Sequence, residues 1–379
     1  GLNGPSGHEP RAFNLSVNWL SLMSDEQLQQ WASQHQITPD RKIALYGTTE
    51  QTSEVSKRLM KLGYINIATL SDASQPDRLQ RMAHYEQLVY PQWIHDLQQG
   101  KNVVAKPAGE WKVIEAAWGA PKKYLLSHIP GAGYIDTNDI ESEPLWNKVS
   151  DDKLKALLAK QGIKHDTTVI LYGRDVYAAA RVAQIMLYAG VKDVRLLDGG
   201  WQTWSDAGLS VERGLPSNVK PAPDFGAEIP GQPQLMLNEE QARGLLHRKD
   251  ASLVSIRSWP EFIGETSGYS YIKPKGEITG ARWGHAGSDS THMEDFHNPD
   301  GTMRSADDIA AMWKEWHITP DQQVSFYCGT GWRASETFMY ARAMGWPSVS
   351  VYDGGWYEWS ANPKNPVVAG ERGPESSWE

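Results

Sequence analysis

The chain has 379 residues, 37 Lys and Arg against 46 Asp and Glu for a formal charge of −9, and a 40% hydrophobic share. At roughly 100–200 residues per domain this length implies two to four domains, and the composition suits packed cores rather than disorder. One Cys excludes an intrachain disulfide framework, a CxxC zinc knuckle and a Cys-ligated cluster; the acidic balance argues against nonspecific nucleic-acid binding; and no run approaches the roughly 18 apolar residues of a membrane span.

The chain opens on a polar, turn-like stretch, Gly1-Leu2-Asn3-Gly4-Pro5, with no initiating Met, so removal of an upstream segment is expected. From there one pattern recurs three times: an apolar strand ending in Tyr, a loop, an amphipathic helix, a Gly and a second apolar strand. The copies run from Ile43-Ala44-Leu45-Tyr46 to Gly63, from Val169-Ile170-Leu171-Tyr172 to Gly190, and from Val324-Ser325-Phe326-Tyr327 to Gly345. The Tyr-to-Gly spacings are 17, 18 and 18 residues, which leaves little room for coincidence.

A marker precedes each strand: Gly7-His8-Glu9-Pro10-Arg11-Ala12, Ser127-His128-Ile129-Pro130-Gly131-Ala132 and Gly276-Glu277-Ile278-Thr279-Gly280-Ala281. Another follows copies two and three, Asp198-Gly199-Gly200-Trp201-Gln202-Thr203-Trp204 and Asp353-Gly354-Gly355-Trp356-Tyr357-Glu358-Trp359. In copy one it has decayed to Leu70-Ser71-Asp72. The Gly-Gly turns read as the stop of a buried strand and the start of a helix whose Trp pair packs inward. Copies two and three have an apolar strand before the first marker, Trp111–Glu115 and Ser252–Ile256; copy one has only Gly1 to Ser6 there.

Short apolar strands alternating with helices predict an α/β protein of three tandem units, each a central, mainly parallel sheet flanked by helices. The expected boundaries are a first unit at 1–74, a helical join at 75–101, a second unit at 102–212, a spacer at 213–234 and a third unit at 235–379. The spacer carries Pro216, Pro221, Pro223, Pro230 and Pro233, which excludes a regular helix.

The lone Cys328 lies between strand Val324–Tyr327 and a helix starting near Ala334, in the loop Cys328-Gly329-Thr330-Gly331-Trp332-Arg333. Two glycines let the backbone curl so that its N–H groups point inward, forming an anion nest at a helix N-terminus. Arg333 adds a fixed cation, expected to act with the loop N–H groups as a catalytic residue by stabilising charge that develops on the substrate, and no acid intervenes before Glu336. Together these favour a thiolate nucleophile for a compact anionic or sulfur-rich substrate. A free Cys at a strand end is more often a buried small hydrophobe. Here the loop and Arg333 weigh for chemistry, as does the appearance of Gly47 and Gly173 at the same place in the other copies.

The markers and the cysteine loop resemble the rhodanese family of sulfurtransferases over essentially the whole chain. The resemblance implies that Cys328 cycles through a persulfide and that the backbone from Gly329 to Arg333, through Thr330, Gly331 and Trp332, cradles the outer sulfur. Cys328 to Arg333 is C-x4-R, shorter than the C-x5-R loop of phosphatases sharing the fold. Cys-Gly-Thr-Gly is similar to mercaptopyruvate sulfurtransferases, whereas the following Trp332-Arg333 is closer to single-domain rhodaneses. The family often reads Asp-x-Arg-Ser after its first strand, and Ser255-Ile256-Arg257-Ser258 keeps the Arg but not the Asp. Arg257 then either faces substrate or pairs with Glu261. Trp332 either walls the site or covers the sheet end.

His285, His292 and His297 match no metal-ligand spacing, and no metal or organic cofactor is expected. The long stretch from Ala281 to Tyr327 is expected to wall or cover the site. The implied activity is sulfur transfer from thiosulfate through Cys328 to cyanide, a small thiol or a protein acceptor, with mercaptopyruvate as the alternative donor and persulfide carriage to a protein partner as the alternative role. A phosphatase or arsenate reductase is the rival enzyme. A periplasmic location is expected from the resembled family, with the cytoplasm as alternative.

Overall fold

The computed structural model describes residues 3–70, 79–216 and 219–376. The first unit holds α1 (Val17–Leu20), α2 (Asp25–Gln34), β1 (Ile43–Tyr46), α3 (Thr49–Lys61) and β2 (Ile67–Leu70). β1 and β2 pair in parallel, and among the described residues no strand covers the other edge of β1. Both strands are correspondingly less buried than those of the other units. Ser71 and Asp72, the decayed turn, lie outside the described residues.

The second unit begins earlier than expected. β3 (Leu88–Val89) joins its sheet, and the helix α4 (Pro91–Gln98) buries Ile94 and Leu97 in its core. The segment 75–101 is therefore not a helical join: residues 75–78 lie outside the described residues, and the rest supplies an edge strand and a core helix. There follow β4 (Trp111–Ala117), α5 (Lys122–Leu126), β5 (Gly133–Asp136), the hairpin of β6 (Glu141–Ser142) and β7 (Asn147–Lys148), α6 (Asp151–Lys160), β8 (Thr168–Tyr172), α7 (Val176–Ala189), β9 (Asp193–Leu197) and α8 (Gly200–Asp206). Among its described residues the proline-rich spacer forms no α-helix, and a 3-10 turn lies at Pro233–Leu235.

The third unit comprises β10 (Met236–Leu237), α9 (Glu239–Leu245), β11 (Ala251–Ser255), α10 (Trp259–Phe262), β12 (Glu277–Ile278), β13 (Arg282–Trp283), α11 (Ala306–Glu315), β14 (Gln323–Tyr327), α12 (Trp332–Met344), β15 (Val349–Tyr352), α13 (Gly355–Ala361) and β16 (Val367–Val368). The two large sheets share one topology, β3-β9-β8-β4-β5 and β10-β15-β14-β11-β13, parallel throughout. Helices on both faces explain why β8 and β11 are buried at every position and why β8 reads as an apolar run rather than an alternation.

α7 and α12 pack on each other between the two sheets. Ala179, Ala180 and Ala183 on one helix and Ala334 and Ala341 on the other are buried in one shared core, and α7 is buried around nearly its whole circumference. Trp356 and Trp359 both pack inward as expected. In the second unit Trp204 does so, while Trp201 stays half-exposed under the guanidinium of Arg174.

Candidate active site

β14 ends at Tyr327 and α12 begins at Trp332, so Cys328 to Gly331 form the strand-to-helix loop. Cys328 is only 1% exposed. The loop's carbonyls are drawn away from the centre of the curl. Trp356 N donates to Cys328 O at 2.8 Å, Tyr357 N donates to Gly329 O at 3.0 Å, and Ser335 Oγ and N donate to Gly331 O at 2.6 and 3.1 Å. Among the described residues no backbone N–H from Gly329 to Arg333 finds a protein acceptor. A run of free donors at the N-terminus of α12 is the anion cradle that the two glycines predict.

The Gly-Gly turn does more than end a strand. Gly355 sits at φ +60°, and a Cβ there would lie 2.6, 2.8 and 2.9 Å from the carbonyl oxygens of Cys328, Gly329 and Thr330. Gly355→Ala is therefore expected to cost about 2 kcal/mol or more, from the left-handed backbone and the clash together. Urea unfolding measures it; an unchanged midpoint would mean that the turn does not back the loop.

The acids and cations of the site form one buried network. Arg333, 1% exposed, donates from Nη1 to Glu261 Oε2 at 2.8 Å and from Nη2 to Glu261 Oε1 at 3.0 Å and to Tyr269 Oη at 2.9 Å. Glu261 also accepts Ser258 N at 2.9 Å and Ser258 Oγ at 2.7 Å. Burial, the largest influence on Glu261, favours its neutral form, but the charges and hydrogen bonds of Arg333, Arg257 and Ser258 hold its carboxyl down at about 2. Arg333 is expected from sequence as a cation facing substrate; its charge is instead already matched by a carboxylate.

Arg257 is fully buried. Its Nη1 donates to Gly276 O at 2.6 Å and Glu277 Oε2 at 3.2 Å, its Nε lies 3.7 Å from Glu261 Oε1, and its guanidinium lies 4.9 Å from the centre of the Trp356 ring. Of the two readings open for Arg257, the geometry is that of the structural pair, widened to two glutamates. Ser255, the unexplained departure from Asp, donates its Oγ to Glu277 Oε2 at 2.7 Å, and Tyr327 donates its hydroxyl to the other oxygen of Glu277.

Trp332 spans a gap between units: its Nε1 donates to Glu141 Oε1 at 2.7 Å and its ring lies 5.6 Å from that of Tyr177. Tyr269 closes the other side, and a Cβ on Gly329 would lie 2.1 Å from its ring. Tyr271 stands beside it with ring centres 5.3 Å apart; burial and then the Cys328 charge push its hydroxyl up to about 12, so it stays a donor at neutral pH. Thr330 is largely buried in the loop.

Sequence reasoning missed Glu277, Tyr269, Tyr271, Glu141 and the backing role of Gly355. One signal was available for Glu277, which stands in the marker where the other copies carry His8 and His128, in the one copy that keeps Arg257. The histidines at 285, 292 and 297 pair with three different carboxylates, Asp295, Asp289 and Glu336. The stretch after Ala281 is tied to the other units, with Met303 N donating to Asp198 Oδ1 at 2.8 Å and Asn3 Nδ2 donating to Met303 O and Arg304 O.

The Rhodanese-like domain model matches residues 91–207 and 238–362. The chain is 78% identical over 377 residues to thiosulfate sulfurtransferase YnjE of Escherichia coli K12, covering 99% of this chain and 87% of that one. It is 30% identical over 297 residues to sulfur carrier protein TtuD of Thermus thermophilus, covering 76% of this chain and 99% of that one. The crystal structure of YnjE superposes with TM-score 0.97, covering 99% of this chain and 90% of that one. EanB superposes with TM-score 0.92 at 38% identity, covering 97% and 89%. A variant of EanB carrying a cysteine persulfide has been solved with ergothioneine. With the family model matching two sheets of one topology, and with relatives aligned along nearly the whole chain, the protein belongs to the rhodanese family.

Proposed function

We propose that the protein is a thiosulfate sulfurtransferase with one active cysteine, Cys328. The observation that carries this reading is the cradle of unsatisfied N–H groups from Gly329 to Arg333, curled beside the lone thiol at the N-terminus of α12. The thiolate of Cys328 attacks the outer, sulfane sulfur of thiosulfate. The bond between that sulfur and the sulfonate sulfur breaks, and sulfite leaves with the bonding pair. The persulfide on Cys328 carries one negative charge on its outer sulfur, which the loop N–H groups stabilise. An acceptor nucleophile, cyanide or a thiol, then attacks the outer sulfur and the Cys328 thiolate departs, giving a two-step exchange.

The near-complete likeness to YnjE supports thiosulfate as the donor. The buried thiol supports a small donor atom over a bulky electrophile. In this reading Arg333 and Arg257 hold the loop through Glu261 and Glu277 rather than touching the donor, and no cofactor takes part. Steady-state assay with cyanide as acceptor tests it: kcat/KM for thiosulfate is expected to exceed that for mercaptopyruvate by about tenfold or more, and the reverse order would assign the mercaptopyruvate reaction instead. Carriage to a protein acceptor is the second reading, favoured by the likeness to TtuD; it requires poor turnover with every small acceptor. Periplasmic residence belongs to the same proposal and is tested by cell fractionation.

A further inference from the structure

One buried cation beside the loop belongs to the unit that lacks a cysteine. Arg181 lies on α7, fully buried where α7 packs on α12. Its Nε donates to Glu141 Oε2 at 2.9 Å, and its Nη2 donates to Asp353 Oδ1 at 2.7 Å and Trp146 O at 3.1 Å. Its Nη1 has no partner among the described residues. That edge of the guanidinium faces the cysteine loop: a Cβ on Gly331 would lie 2.6 Å from Nη1 and 2.8 Å from the guanidinium carbon.

Each edge of this side chain thus reaches a different part of the site. Glu141, held by Nε, accepts Trp332 Nε1 with its other oxygen. Asp353, held by Nη2, opens the turn whose Gly355 backs the loop carbonyls. Nη1 abuts Gly331 directly. A planar, permanently charged fork can make these connections at once, and a lysine ammonium cannot.

The repeat shows that this is not a general feature of the fold. Arg181 stands nine residues past Tyr172, and the position nine past Tyr327 is Glu336. Glu336 pairs with His297 at 2.8 Å, and its charge acts on Asp198, the counterpart of Asp353. The mirrored contact is therefore acid, histidine and acid, and the arginine falls only on the side of the cysteine.

We propose that Arg181 is a positioning residue for sulfur transfer, supplied across the interface by the cysteine-free second unit, where it fixes the Gly331 edge of the cradle and the Trp332 wall. This rests on Cys328 being the sulfur carrier. Without Arg181, Glu141 and Asp353 lose their paired cation beside a loop that must hold negative charge.

The test is the single-turnover rate at which thiosulfate adds sulfur to Cys328, read by intact mass, in wild type, Arg181→Ala, Gly331→Ala and the double variant. Near-ultraviolet circular dichroism confirms the fold of each. Each single change is expected to slow loading by about tenfold or more, and the double variant to be no slower than the worse single one, because the two residues share one contact. Arg181→Lys is expected to stay slow despite its charge. A purely structural role would lower Tm and leave the loading rate of the folded protein unchanged. Wild-type loading by folded Arg181→Ala, or effects that simply multiply in the double variant, would overturn the proposal. If Arg181→Ala does not fold, wild-type loading by Arg181→Lys overturns it equally. Failure of the underlying reading looks different: wild type itself would then take up no sulfur.

Discussion

Cys328→Ser is expected to lower thiocyanate formation from thiosulfate and cyanide by more than about a thousandfold, because serine at this place cannot carry a sulfane sulfur. The fold should survive. Serine is nearly isosteric with cysteine, and its hydroxyl would sit among N–H groups that lack acceptors, so the stability change should stay within about 1 kcal/mol. No other residue can take over, since the sequence holds one Cys and the corresponding places in the other repeats are Gly47 and Gly173. Turnover near the wild-type rate in the serine variant would remove Cys328 from the mechanism. A variant that fails both to turn over and to fold would be resolved by Cys328→Ala, which introduces no buried hydroxyl.

The second large effect is expected at Glu261. It joins the buried guanidinium of Arg333 through two hydrogen bonds and lies 3.7 Å from that of Arg257, so Glu261→Ala leaves Arg333 without a paired carboxylate and Arg257 with Glu277 alone. Removing one partner of such a group costs about 3–5 kcal/mol. The loop should loosen with it, because α12 starts at the residue before Arg333. The same pair predicts an acid dependence. The Glu261 carboxyl lies at about 2 in the folded chain against an ordinary 4.5. Between those values the unfolded chain binds the extra proton, so this contribution is complete above about pH 4.5 and is lost as pH falls toward 2; its size is about 3 kcal/mol. Glu261→Gln should therefore flatten the loss of stability as pH falls from about 4.5 toward 2, to about half the wild-type slope or less. Equal acid slopes in the two proteins would show that Glu261 is not held ionised by the arginines.

Much of this was legible in the sequence because it is local. β8 and β14 read as apolar runs ending in Tyr, helices of fixed spacing follow them, and the doubly covered parallel sheet follows from that alternation. The cradle was legible for the same reason, since Cys328, Gly329, Gly331 and the start of α12 are neighbours in the chain. β3 was not, because two residues, Leu88 and Val89, are too short a run to show a period, and the helical pattern of α4 masked them. The partners of the arginines were only partly legible, Arg333 reading as an unpaired cation and Arg257 staying open between substrate and Glu261, for a physical reason. A guanidinium beside a thiol looks free until its partners are known, and those partners, Glu261 and Glu277, arrive from 72 and 20 residues away respectively, on separate elements. Arg181 was silent in the sequence because its importance lies in what α7 packs against, not in its own neighbours.

The central claim is that this chain holds one sulfur-carrying site, at Cys328. Intact mass spectrometry of the protein after brief exposure to thiosulfate, followed by removal of the excess, tests it most directly. The expected result is a gain of one sulfur atom per chain, located on the peptide that contains Cys328, absent from Cys328→Ser and discharged by cyanide. An unchanged mass in wild type, or a gain that persists in Cys328→Ser, would contradict it.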